Sequence, residues 1–253
     1  MIRIFRISAP RAIAFTCALL ALPAFAQVDE RTCDARSFLS NVASDQKHIW
    51  TFPVRLIHGK NLVPTLAVLG ATGALIASDA HTASYFHNNS SFKGFNNALS
   101  GTSTAVAIVA VPVSFYAFGL VRPDSRAKET AWLATESLVD SEIVAYAIKA
   151  IDIRRKPAEF GKGANLSDNW FDAKGSALGA SGSFPSGHTV AAFSVATVIA
   201  QRYKSHRWVP FVAYGLATAV GFSRLTTSAH YPSDVFMGAV LGFTISRFSV
   251  LRR

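Results

Sequence analysis

Apolar and small residues gather along this chain into six long stretches, at about 61–79, 101–121, 127–153, 188–204, 208–223 and 232–250. Clusters of Pro, Gly, Asn and Ser separate them, such as Asn88-Asn89-Ser90-Ser91 and Arg122-Pro123-Asp124-Ser125. Alternation with a period of two is weak, and the stretches are longer than ordinary strands, so each is read as a helix. The pattern predicts an all-α fold, a bundle of about six apolar helices. Residues 27–60 are mixed and polar with scattered aromatics and read as an N-terminal arm, leaving 61–253 as one helical domain. The longest interruption, 157–187, is rich in Gly and Ser and carries Trp170 and several Phe residues. No internal repeat is visible.

The first 26 residues have a different character. Arg3, Arg6 and Arg11 precede an apolar run, Ala12–Pro23, which ends in Ala24-Phe25-Ala26. This is the pattern of a secretory signal peptide, so an exported protein of the periplasm or cell envelope is expected. Its removal changes the charge from 25 Lys+Arg against 15 Asp+Glu to 22 against 15, about +7. A basic exported chain suits anionic partners, such as phosphate groups or anionic lipid. Basic residues interleaved with aromatics, as nucleic acid binding would need, are absent. Cys17 leaves with the signal and Cys33 is then alone, which excludes an internal disulfide and a Cys-based metal site.

Half of the residues are hydrophobic and only 16% are charged, which raises the question of a membrane. The run Gly94–Val121 has no Asp, Glu, Lys or Arg and is long enough to span; Asn61–Ser78 is marginal, and Thr189–Gln201 and Val235–Ser246 are short. Glu136, Asp140 and Glu142 in the third segment are costly in lipid unless they face the bundle interior. Arg122, Arg126 and Lys128, then Arg202, Lys204 and Arg207, then Arg247, Arg252 and Arg253 would share one face of an up-and-down bundle, as the positive-inside rule expects. Six true spans after a cleaved signal would put that face outside, against the rule. A bundle that is membrane-associated or partly embedded satisfies both constraints.

Three clusters carry chemistry. Lys149 and Lys156-Pro157 end the third helix; seven apart, the two lysines share one helix face, suited either to phosphate oxygens or to the helix dipole. Phe184-Pro185-Ser186-Gly187-His188 opens the fourth, where free N–H groups and the positive dipole end favour an anion. Gly187 allows close approach, Ser186 adds a hydroxyl or serves as N-cap, and His188 is placed to give a proton to a leaving oxygen. Ser223-Arg224 precedes His230 and Asp234, with Pro232 as a helix start. Arg224 offers a planar fork for phosphate, and Asp234 about one turn from His230 would bond one imidazole nitrogen and leave the other as nucleophile. All three clusters fall at helix ends on one face of an alternating bundle, so they converge on one site. His48, His58, His81, His87 and His206 match no such position. Asp79 and His81 alone do not make a metal site, and Trp132, Trp170 and Trp208 read as packing or interfacial anchors.

The combination resembles the three-part signature of the type 2 phosphatidic acid phosphatase and vanadium haloperoxidase superfamily: Lys-x6-Arg-Pro, Pro-Ser-Gly-His, and Ser-Arg-x5-His-x3-Asp. The last two parts match fully. In the first, Lys156 stands where the family has Arg, with Arg154 and Arg155 off register, and Lys does not replace a bidentate Arg without loss of phosphate affinity. The resemblance implies a helical bundle with its active site at one end and a metal-independent phosphatase without cofactor. Lys149, Lys156, Ser186, Gly187 and Arg224 would bind phosphate, His230 would form a phosphohistidine, Asp234 would orient it, and His188 would act as acid and then base. It implies a phosphorylated small molecule or a lipid phosphate as substrate. The same residues can hold vanadate in a haloperoxidase, although those relatives are generally much larger and no second His follows His188 closely. A soluble acid phosphatase is the nearest variant. A catalytically inactive scaffold would have lost His230, His188 or Asp234, and all three are present.

Overall fold

The computed structural model describes residues 35–252, apart from 60, 90, 100, 152–153, 162, 168 and 171–181. The expected signal peptide and Cys33 lie outside the described residues. Among those residues every regular element is helical, as the apolar pattern predicts. In chain order the helices are α1 (Ala35–Trp50), α2 (Phe52–Ile57), α3 (Leu62–Asn88), α4 (Lys93–Ala98), α5 (Gly101–Val121), α6 (Ser125–Ile151), α7 (Gly187–Arg202), α8 (Trp208–Thr226) and α9 (Pro232–Phe248). The six long ones are the six expected, with two differences. The helix begun near 61 continues past Asp79 to Asn88, and the N-terminal arm is itself largely helical, with α1 lying on α6.

Helix α7 is the axis of the bundle. It packs against α6, α8 and α9, and Ala192, Val195, Val198 and Ile199 form the core with Leu133, Ala134, Val209 and Phe115. It has 16 residues, so it is about 24 Å long, short of a ~30 Å hydrocarbon core. Small residues let its neighbours come close. The carbonyl of Val190 lies 2.4 Å from where a Cβ on Gly242 would be, and the carbonyl of Ser186 lies 2.8 Å from a Cβ on Gly238. Serines fill the same seam: Ser194 donates to Ser141 at 2.8 Å, and Ser137 bonds Ser246.

Local signals set the helix ends that matter. Asp124 accepts the Ala127 N–H at 3.1 Å and starts α6, and Gly119 permits the tight turn from α5, since a Cβ there would lie 2.6 Å from the Lys128 side chain. Pro232 opens α9, and the Asp234 carboxylate accepts the Tyr231 N–H at 2.8 Å. The antiparallel order puts the ends of α6 and α8 and the starts of α5, α7 and α9 at one end of the bundle. The opposite end holds the basic residues expected to share a face: Arg126 reaches the Arg202 carbonyl, and Arg202 pairs with Glu129 at 2.5 Å.

Among the described residues, three helical segments are long and apolar enough to cross a membrane: Leu62–Asn88, Gly101–Val121 and Pro232–Arg252. The last includes the run that looks short in the sequence, because the helix carries its charges only at its ends. Leu62, Val63, Leu66 and Leu69 on α3, and Val106, Val109 and Val113 on α5, turn outward. The acids of α6 turn inward, as their cost requires: Glu136 and Asp140 are buried.

Candidate active site

The three sequence clusters meet at the end of the bundle where α6 finishes and α7 and α9 begin. His230 sits in the short link between α8 and α9, 7% exposed. Its Nδ1 lies 2.7 Å from the Ser183 carbonyl and 3.6 Å from Asp234 Oδ2. A carbonyl only accepts, so Nδ1 carries the proton and Nε2 keeps the lone pair. The expected direct bond from Asp234 to the imidazole is therefore replaced by a carbonyl bond with the carboxylate just behind it. Burial pushes the His230 pKa down, against the opposing pull of Asp234, which favours the neutral ring.

Asp234 is fully buried. Its Oδ2 accepts from the Ser183 hydroxyl at 2.5 Å and from the Tyr231 N–H, and its Oδ1 from Arg154 at 2.5 Å. Ser183 thus touches both members of the pair and is in turn held by its N–H on the Arg154 carbonyl at 2.7 Å. Nothing in the sequence marks Ser183 beyond its place just before the Phe184-Pro185-Ser186 run.

His188 lies on the first turn of α7, half-buried, with Nε2 2.9 Å from the Gly101 carbonyl at the start of α5. Burial lowers its pKa, and the charges of Arg224, Lys149 and Lys156 lower it further, against the Gly101 bond. A phosphate dianion among those cations would offset them and restore a proton to the ring. Arg224, at the end of α8, is buried and reaches Ser223 and the Leu99 carbonyl. Lys149 donates to the Gly182 carbonyl at 2.6 Å. Ser186 is the N-cap of α7 but does not cap through its side chain; its Oγ accepts from Thr189 at 2.9 Å, and it is fully buried. Gly187 stands half-exposed at the helix start, with Glu142 3.7 Å from where its Cβ would be. Lys156 is half-buried in the stretch after α6, where its carbonyl accepts the Glu159 N–H at 3.0 Å.

The off-register arginine turns out to be the buried one. Arg154 is 2% exposed and bonds Asp79 on α3 at 2.7 Å as well as Asp234. Asp79 was visible as a lone acid in an apolar segment, and a buried charge there demands a partner. Glu142 is a second addition. Burial pushes its carboxyl up to about 6 from 4.5, against the attraction of Lys149. The folded chain holds this proton more tightly than the unfolded one, so stability is greatest below pH 4.5 and falls as pH rises through 6, by about 2 kcal/mol. Glu142→Gln should raise the melting temperature at pH 8 by several degrees and leave it unchanged near pH 4, as read by scanning calorimetry.

Among the described residues, Asp45, Glu136 and Asp140 bring ligand atoms within 4.8 Å of one another. They lie between α1 and α6, and no candidate active-site residue belongs to the group.

Two histidines, buried carboxylates and the cations Lys149, Lys156 and Arg224 thus gather around the start of α7. The chain belongs to the PAP2 superfamily, whose model matches residues 79–252. It is 39% identical over 67 residues to the lipid A 1-phosphatase of Porphyromonas gingivalis, a match covering 26% of this chain and 15% of that protein. It is 40% identical over 78 residues to the undecaprenyl-diphosphatase BcrC of Bacillus subtilis, covering 29% of this chain and 39% of that protein. The chain therefore spans well under half the length of these relatives. Among solved structures, Aquifex aeolicus LpxE is similar with a TM-score of 0.39 and 23% identity over 63% of this chain and 92% of that one. A PAP2-type phosphatidylglycerolphosphate phosphatase of Bacillus subtilis has a TM-score of 0.39 and 17% identity over 83% and 94%.

Proposed function

We propose that this chain is a phosphatase that removes phosphate from a lipid phosphate or diphosphate through a phosphohistidine at His230. The observation that carries this reading is the state of His230: Nδ1 committed to the Ser183 carbonyl, Asp234 behind it, and the Nε2 lone pair set in a site with Lys149, Arg224 and His188. Nε2 attacks phosphorus, the bond from phosphorus to the leaving oxygen breaks, and His188 gives that oxygen its proton. Water, deprotonated by His188, then attacks phosphorus, the P–N bond breaks and inorganic phosphate leaves. Lys149, Arg224, Lys156 and the N–H groups at the start of α7 balance the charge of the transferring group, with Ser186 at the floor of the site and Gly187 giving it room.

The lipid part of the proposal rests on the three apolar helices and their outward-facing Leu and Val residues, and on relatives named for lipid A and undecaprenyl diphosphate. The basic end of the bundle lies opposite the site, so the positive-inside rule would turn the site away from the cytoplasm. The test is phosphate release by purified protein, with chelator present, from an aryl phosphate, phosphatidic acid and a polyprenyl diphosphate. Release from the lipid substrates that vanadate inhibits is the expected result. Release from the aryl phosphate alone would favour a soluble acid phosphatase, and no release from any of the three would overturn the reading.

A further inference from the structure

The buried arginine has a role of its own to account for. Its guanidinium is shut off from solvent and every nitrogen has a partner: Nε meets Asn169 Oδ1 at 3.0 Å, Nη1 meets Ser233 Oγ at 2.8 Å and Asp234 Oδ1 at 2.5 Å, and Nη2 meets Asp79 Oδ2 at 2.7 Å. The plane is held between two rings, with the centroid of Trp170 4.3 Å and that of Tyr231 3.9 Å from Cζ. Four of its five N–H donors are taken and the group is shut off from solvent, so it is not placed to meet a substrate phosphate. Asp79 is equally committed. Its Oδ1 accepts the Ser233 N–H at 3.0 Å, and Oδ2 takes the Ser233 hydroxyl along with Arg154.

We propose that Arg154 and Asp79 are positioning residues for the reaction: Arg154 fixes the Asp234 carboxylate behind His230, and Asp79 offsets the charge of Arg154 so that Asp234 keeps its own effect on the imidazole. This rests on the reading of His230 as nucleophile. Two requirements explain why both residues are present. Asp234 must be rigid, and a planar fork locked by four partners supplies rigidity. Asp234 must also remain electrostatically negative, because His230 becomes cationic when its Nε2 bonds phosphorus. One arginine against one carboxylate would cancel; one arginine between two leaves a net charge of −1 beside the ring. Two separate parts of the chain, α3 and the segment after α6, are thereby tied to the first turn of α9. The charges that act directly on His230 are Asp234 from α9 and Lys149 from α6, with the Ser183 carbonyl as its hydrogen-bond partner, and none of these is altered by changing Asp79.

The test uses the full-length protein in detergent with 15N-labelled histidine, the His230 resonance being assigned by its loss in His230→Ala. Asp79→Asn, which keeps the shape and removes one charge, should lower the titration midpoint of His230 by roughly half a pH unit or more. Arg154→Lys keeps the charge and loses the fork, so the midpoint should stay close to wild type while kcat falls roughly 10- to 100-fold at unchanged KM. An unchanged His230 midpoint in Asp79→Asn with native circular dichroism would overturn the proposal. So would a raised KM at unchanged kcat in Arg154→Lys, which would make Arg154 a phosphate ligand. The midpoint is read without turnover, so it decides this proposal even if wild-type protein releases no phosphate, the outcome that overturns the phosphatase reading instead.

Discussion

His230→Ala should lose phosphate release by at least ~10⁴-fold on every substrate, because in the proposed reaction it removes the atom that bonds phosphorus. His188→Ala should behave differently, with a loss that depends on the leaving group. An alkyl or lipid alcohol needs a proton as it departs, so the acid contributes ~10²- to 10⁴-fold there. A nitrophenolate leaves without one, so the first step should be nearly preserved for that ester. The second step still needs a base for water. His188→Ala supplied with an aryl phosphate should therefore accumulate phosphate on the protein, acid-labile and stable in alkali, and the adduct should vanish when His230 is also replaced. Equal losses on aryl and alkyl esters, with no adduct after alkaline quench, would remove His188 from both steps. The contact of Nε2 with the Gly101 carbonyl makes the experiment informative, since it anchors the ring beside Arg224.

The second large effect is expected far from the chemistry, where α9 crosses α7. Gly242→Val should unfold the protein or cost well over ~3 kcal/mol, since even its first carbon would sit 2.4 Å from the Val190 carbonyl and 2.9 Å from the Ser194 nitrogen. Both contacts are helix backbone and cannot step aside as a side chain tip can. Gly238→Ala meets Ser186 O at 2.8 Å and the Thr189 Cβ at 3.1 Å, at the start of α7 rather than its middle. The cheapest relief is a shift of the α7 N-terminus, which carries Gly187 and His188. This variant should keep much of its stability and lose activity out of proportion, with KM rising as the phosphate cradle moves. Thermal unfolding and kinetics on the two variants separate the cases. Equal stability losses with unchanged kinetics in Gly238→Ala would show that the α7 start is not coupled to this crossing.

How much of this was legible in the chain differs between fold and site. The helices could be read because long apolar stretches bounded by Pro, Gly and Asn leave few alternatives, and the ends at Pro232 and Asp124 follow from local chemistry. The first segment was read too short because Asp79 and His81 interrupt its apolar pattern; the helix tolerates Asp79 because Arg154 neutralises it, and His81 because it faces outward. The amphipathic α1 was missed inside a polar arm because only its burial against α6 distinguishes it. The structure brings His188, His230, Asp234, Lys149 and Arg224 together at one end of the bundle, because each stands at a helix end whose position short-range signals already fix. Trp170, read as a packing residue, stacks on the guanidinium that holds Asp234.

The sequence by itself determined the helical class and the apolar segments, since each depends on interactions within a turn or two of helix. Only the tertiary structure decided which cation serves Asp234. In the sequence, spacing favours Lys156 for the phosphate-binding position, with Arg154 and Arg155 off register beside it. Arg154 serves Asp234 because it is buried where Asp79, 75 residues away, and Asp234, 80 residues away, are brought within reach. A buried charge is stable only with partners in place, and those partners come from α3, from α9 and from Asn169 in the segment after α6, with α9 seated on α7 through the absent side chains of Gly238 and Gly242.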